Sequence, residues 1–162
     1  MALPERLANV VNDFRSAPAE LRTELLLEHA DRLPALPPEL AGDRDRFERV
    51  EECQTPFFLA TEVDADGTVH LHFDCPPQAP TTRGFAGVLH AGLDGATAAE
   101  VLAVPADFHH DMGLAEVISP LRMRGMDGVL FRLKRQVAAR VAAGGGSGDG
   151  AGGAAGGVVG RE

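Results

Sequence analysis

One short β signal, set between helical stretches, constrains this chain more than any other feature. Phe57 to Val63 reads as a strand, Asp64-Ala65-Asp66-Gly67 as a turn, and Thr68 to Asp74 as a returning strand. In the second strand Val69, Leu71 and Phe73 alternate with His70, His72 and Asp74, so one face is apolar and the other polar. An isolated hairpin is marginal in water, so a third strand is expected, with Val50 and the region around Cys53 as the best candidates. If Val63 faces Thr68, then Phe57 faces Asp74 and Cys75 lies opposite Pro56. A sheet this small has to be covered by helices. The expected class is α+β, a small mainly antiparallel sheet packed by helices.

The helical patterns lie on both sides of the hairpin. Leu3, Leu7, Val10, Val11 and Phe14 fall at helical spacing and predict an amphipathic first helix. A second helix is predicted with Ser16 as N-cap, Pro18 in its first turn, and Leu21, Leu25 and Leu26 on its apolar face. Pro34, Pro37 and Pro38 end it and impose an extended connector. The charged stretch Asp43 to Arg49 reads as a solvated loop or short helical turn. After the hairpin, Thr82 is placed to cap one helix, and Thr97 with Glu100 forms a capping box for the next. Pro105 opens a short helix. Ser119 and Pro120 start a long last one with Val129, Leu130, Leu133, Val137 and Val141 on its apolar face.

The chain has 162 residues, of which the last stretch adds nothing to a core. From Gly144 to Gly160 it is nearly all Gly and Ala, too poor in apolar surface to offset the entropy of ordering. Residues 1–143 are therefore expected to form one domain and 144–162 a disordered tail. A formal net charge of −9 argues against a nucleic-acid partner, because phosphate binding needs clustered Lys and Arg. No apolar run approaches the ~20 residues of a membrane span, and the N-terminus lacks the basic-then-apolar pattern of a signal peptide. Two cysteines without a secretion signal read as reduced thiols, so the cytoplasm is the expected compartment.

Cys53 carries the chemical interest. It lies in the polar run Glu51-Glu52-Cys53-Gln54-Thr55, whereas a structural free cysteine is usually a buried small hydrophobe. Two readings fit the local chemistry equally, an incidental loop residue or a reactive thiol. Cys75 follows the second strand, and the hairpin brings both cysteines to its open end. His70, His72 and Asp74 beside Cys75 form a metal-like row, though polar residues on a solvent-facing strand produce the same alternation. His109 and His110 are neighbours on a predicted helix, hence expected to diverge. There is no zinc-ribbon spacing, Gly-rich phosphate loop or Ser-His-Asp signature.

Four stretches, in order, resemble the SufE family, the sulfur-accepting partners of cysteine desulfurases in iron–sulfur cluster assembly. Cys53-Gln54-Thr55 resembles the family's Cys-Gln-Ser loop. Leu33-Pro34-Ala35-Leu36-Pro37-Pro38 resembles its Leu-Pro connector. The segment from Phe73-Asp74-Cys75 to Gly87-Val88-Leu89 resembles the stretch after its hairpin. Gly113 to Met126, with Ser119-Pro120-Leu121-Arg122, resembles its Leu-Ser-Pro-x-Arg segment. Together they cover residues 5 to 141. The chain departs from the pattern at Glu52, where Gly is usual, at Thr55 for Ser, at Pro56, and at Phe57-Phe58 for Val-Trp.

The resemblance implies a SufE/NifU-like fold and a persulfide carrier rather than an enzyme, with Cys53 as the sulfur-bearing residue. It implies a supporting arginine at Arg122, placed to offset the glutamates or to bind a partner carboxylate. The implied partners are a SufS-like cysteine desulfurase and an iron–sulfur scaffold as recipient. Pyridoxal phosphate would belong to the desulfurase and none to this chain, which would be a monomer or homodimer. Two other classes compete. One is a thiol oxidoreductase using Cys53 with Cys75, disfavoured by the absence of Cys-x-x-Cys and of a βαβ pattern. The other is a metal-binding scaffold using Cys53, Cys75, Asp74 and a histidine.

Overall fold

Three antiparallel strands form the sheet, in the order β1 (Glu48–Arg49), β2 (Phe58–Val63), β3 (Val69–Asp74). The computed structural model describes residues 3–149, with side chains through residue 144. The third strand lies just before Val50, whose N–H extends the pairing to the Phe57 carbonyl at 2.9 Å. The charged stretch ahead of it supplies a 3-10 turn, Arg44–Arg46, and then β1 itself.

The hairpin register differs by one residue from the expected one. Val63 pairs with Val69 and Phe58 with Asp74, which places Cys75 one step beyond that pair rather than opposite Pro56. The expected register would have set Leu59 and Thr61 against His72 and His70, apolar against polar. The observed one pairs Leu59 with Phe73 and Thr61 with Leu71, all buried, since a one-residue slip exchanges the faces. The turn makes room for this. Asp64 N–H donates to the Thr68 carbonyl at 3.0 Å, its Oδ1 accepts from the Asp66 and Thr68 N–H groups, and Gly67 takes φ 83°.

Among the described residues, five α-helices surround the sheet. Helix α1 (Glu5–Ser16) buries Leu7, Val11 and Phe14 as its spacing predicts. Ser16 ends α1 instead of capping the next helix; α2 (Ala19–Arg32) starts after Pro18 and buries Leu26, His29 and Ala30, leaving Leu21 exposed. Helix α3 (Pro80–Leu93) begins at Pro80, so Thr82 lies inside its first turn and does not cap it. The capping box of α4 (Ala98–Ala103) is present on both arms, Thr97 with Glu100. Where a helix was expected from Pro105, two 3-10 turns occur, Phe108–Met112 and Leu114–Glu116, separated by Gly113 at φ 73°. Helix α5 (Pro120–Asp149) buries Val129, Leu130, Leu133 and Val137, while Val141 is exposed. Its backbone continues past 144, where the tail was expected to begin; residues 150–162 of that tail lie outside the described residues.

Helix α3 packs on β3 and against α2, and α5 packs along β2. The α2–α3 seam depends on small residues. A Cβ added at Gly84 would lie 2.4 Å from the Leu26 carbonyl oxygen, and one at Gly87 2.1 Å from that of His29. Helix α5, on its side, borders the β1–β2 loop through Gly125 and Gly128.

Candidate functional site

Residues 51–56 form the lobe between β1 and β2, and α5 is the surface on which the lobe rests. The turn is closed by Cys53 N–H donating to the Val50 carbonyl at 3.1 Å. Cys53 is half-buried, and its Sγ lies 3.8 Å from the Gly125 carbonyl oxygen. Two glycines allow the approach. A Cβ at Gly125 would meet Cys53 Sγ at 3.1 Å, and one at Gly128 would meet Glu52 Oε1 at 2.5 Å and Glu52 Cβ at 2.9 Å. The spacing of three puts both on one face of α5, under the loop.

One turn further along α5, Arg132 fastens the lobe. Its Nε and Nη2 donate to the two Glu52 oxygens at 3.0 and 3.2 Å, a bidentate pair, and its Nη1 donates to Glu48 Oε2 at 2.6 Å. Glu48 also accepts from Arg135 and from Gln136 Nε2. Hydrogen bonds from Arg132 hold the Glu52 carboxyl below its ordinary range. Glu48 is partly desolvated, which works the other way, yet Arg135, Gln136 and Arg132 hold it below its range too.

The thiol is correspondingly unreactive in this arrangement. Burial first, then the Glu52 carboxylate, push Cys53 up to about 11, with Arg132 opposing. At pH 7 that leaves a thiolate fraction of about one in ten thousand. Of the two glutamates expected to raise it, Glu52 contributes; Glu51 is exposed. Cys75 is buried and also pushed up to about 11 by burial, against the influence of Arg83. Both cysteines are free thiols. Two protonated thiols are a poor start for a redox pair, which needs an attacking thiolate.

A cavity of about 130 Å³ opens beside Cys53, with Gln54, Thr55 and Thr81 among its polar walls and Phe85, Met126 and Val129 among its apolar ones. Arg122 borders the same cavity from the first turn of α5. Its guanidinium reaches Thr81 Oγ1 at 3.5 Å, and Glu52 takes its charge partner from Arg132 instead. Sequence reasoning missed Arg132. The signal is faint: Glu48 and Glu52 are four apart in a non-helical stretch, and only the docking of α5 brings one cation between them.

The strand-face metal row does not assemble. His70 pairs with Asp64 at 3.1 Å, His72 with Glu62 at 2.8 Å, and Asp74 with Arg44 at 3.5 Å, so each polar residue has a local partner. Among the described residues a different set converges. His109 and His110, expected to diverge, both turn to Asp127, because they lie on a tight 3-10 turn facing α5 and not on an α-helix.

Residues 8–137 match the SufE family, described as an Fe-S metabolism associated domain, and the chain belongs to that family. An uncharacterized SufE-like protein of Mycobacterium tuberculosis is 51% identical over 136 residues, covering 84% of this chain and 94% of that one. SufE-like protein 1, chloroplastic/mitochondrial, of Arabidopsis thaliana is 26% identical over 135 residues, 83% of this chain and 35% of that longer protein. The solution structure of a hypothetical protein from Thermus thermophilus superposes with a TM-score of 0.77 at 42% identity, covering 87% of this chain and 99% of that one. The α+β fold is thus that of the family, and the family places the chain in iron–sulfur metabolism. No described helix is long and apolar enough to cross a membrane.

Proposed function

We propose that this protein is the sulfur acceptor and activator of a SufS-like cysteine desulfurase, carrying sulfane sulfur on Cys53 to an iron–sulfur scaffold. The observation that carries the reading is the seat of Cys53. It is a free, half-buried thiol on a lobe that rests on glycines, beside a cavity with polar and apolar walls. In the transfer, the Cys53 thiolate attacks the outer sulfur of the partner's cysteine persulfide. The S–S bond of that persulfide breaks, the partner's thiolate leaves, and Cys53 holds the new persulfide. No net oxidation occurs, and pyridoxal phosphate stays with the partner.

This chemistry needs a thiolate, and burial withholds it. The lobe therefore lifts from α5 when the desulfurase docks, exposing Cys53 as the Glu52–Arg132 pair gives way. Arg122, on the cavity rim, is placed to meet a partner carboxylate or the incoming persulfide. The protein turns over no small substrate alone and works in the cytoplasm. The test is to incubate it with a SufS-like desulfurase and L-cysteine and to analyse its peptides by mass. A gain of one sulfur atom on Cys53, with faster alanine release, is expected. No sulfur on Cys53 with any such desulfurase refutes the reading.

The clasp makes its own prediction. Glu52→Gln removes the charge but keeps a side chain able to accept from Arg132, so alkylation of Cys53 at neutral pH should rise a few-fold. Glu52→Gly removes the tether as well and adds backbone freedom, and should raise the rate by about tenfold or more. The ordering follows because burial, not the carboxylate, is the larger cause of the raised pKa. Equal rates in the parent and both variants would mean that Glu52 does not hold the lobe.

A further inference from the structure

The geometry points to a divalent-metal site formed by His109, His110 and Asp127, none of them a residue of the cysteine lobe, that binds Zn²⁺ or a similar imidazole-preferring cation. His109 Nε2 lies 2.6 Å and His110 Nε2 3.0 Å from the same oxygen, Asp127 Oδ1. All three donor atoms lie within 4.8 Å of one another. In tetrahedral zinc with bonds of about 2.0–2.1 Å, neighbouring donor atoms sit about 3.3 Å apart. To admit an ion, the carboxylate oxygen therefore needs to draw back by about 0.7 Å from His109 and about 0.3 Å from His110.

The ligands are held in place by what surrounds them. His109 is fully buried, its ring 5.3 Å from that of Phe85 and 5.6 Å from that of Phe108, centroid to centroid. The His110 ring lies 4.6 Å from that of His109 at 70°, so two consecutive residues present nitrogens to one carboxylate. Asp127 comes from α5, and the site therefore ties the Phe108–Met112 turn to that helix. His110 and Asp127 are half-exposed and open on a cleft of about 340 Å³, shared with Ile118, Met123 and Arg124, which gives an entry path and room for water to complete the shell.

Two imidazoles and one carboxylate suit Zn²⁺, Co²⁺ and Ni²⁺ better than Mg²⁺ or Ca²⁺, which favour all-oxygen sets. Three protein ligands leave one position open, unlike a closed structural zinc site. The affinity is limited by one detail. Ligation through Nε2 puts the proton of His109 on Nδ1, a buried atom with no partner. A ligand histidine lacking such an outer partner binds about 10–100-fold more weakly, so the ion is exchangeable.

The test is a Co²⁺ titration of tag-free protein followed by optical absorption. One equivalent is expected to give saturating visible bands with no thiolate-to-cobalt charge transfer, and Zn²⁺ to displace it. His110→Ala and Asp127→Asn change exposed side chains, so the fold should persist by circular dichroism while each raises Kd at least about tenfold. A thiolate band would put the ion on the cysteines and overturn the assignment. Absence of saturable binding, or an unchanged Kd in both variants, would leave the three residues a hydrogen-bonded clasp alone and overturn it equally.

Discussion

Gly87→Ala should cost about 3 kcal/mol or more in stability and lower Tm by about 6–12 °C. The new methyl would stand 2.1 Å from the His29 carbonyl oxygen and 2.6 Å from its carbon. Those are backbone atoms of α2, so no rotamer change relieves the clash; the helix has to move away. Doing so would open the seam over Leu26, Phe85 and neighbouring fully buried side chains, with the loss of contacts that follows. Gly84→Ala should behave alike, since its Cβ would meet the Leu26 carbonyl at 2.4 Å. Gly42→Ala is the control, because nothing lies within 4 Å of the added atom, and it should change Tm little. Thermal unfolding by circular dichroism measures all three. A Gly87→Ala protein melting with the parent would show that α2 and α3 do not pack this closely.

The hairpin, the capping box at Thr97 and the core face of α5 were legible because each follows from a local rule. Alternation, turn chemistry and helical spacing act over a few residues. What failed needed information from elsewhere in the chain. The hairpin register turned on one more loop residue, and only the partner faces decide between the two registers. Leu21 has the right spacing for α2 but none of the described elements covers it. Local rules give Gly84 and Gly87 no role, because the identity of their neighbour, α2, is a tertiary fact.

The site divides in the same way. Cys53 and Arg122 could be named from the chain and do border one cavity. Of the two roles expected of Arg122, pairing with Glu52 falls to Arg132, because the docking of α5 sets Arg132 and not its first turn against the lobe. His109 and His110 were set aside on the assumption of an α-helix, in which neighbours diverge. A 3-10 turn facing Asp127 reverses that conclusion.

Cys53→Ala is expected to abolish both persulfide formation and stimulation of the desulfurase while the fold stays intact. The substitution removes one half-buried sulfur whose contact with the Gly125 carbonyl, at 3.8 Å, is weak, so the stability cost should be about 1 kcal/mol or less. The functional cost is total, because neither the methyl nor any neighbour can take the sulfur. Cys53→Ser tests whether shape alone suffices. Its hydroxyl fits the same place but is a far poorer nucleophile than a thiolate at neutral pH, and it should be equally inactive. Cys75→Ser provides the contrast. Cys75 is buried beside the lobe with its thiol held protonated, so it should be dispensable for sulfur uptake. Alanine release by the partner and peptide masses decide the matter together. Normal stimulation by folded Cys53→Ala would remove the basis for sulfur transfer on this residue, and a loss in Cys75→Ser equal to that in Cys53→Ala would make the pair a relay.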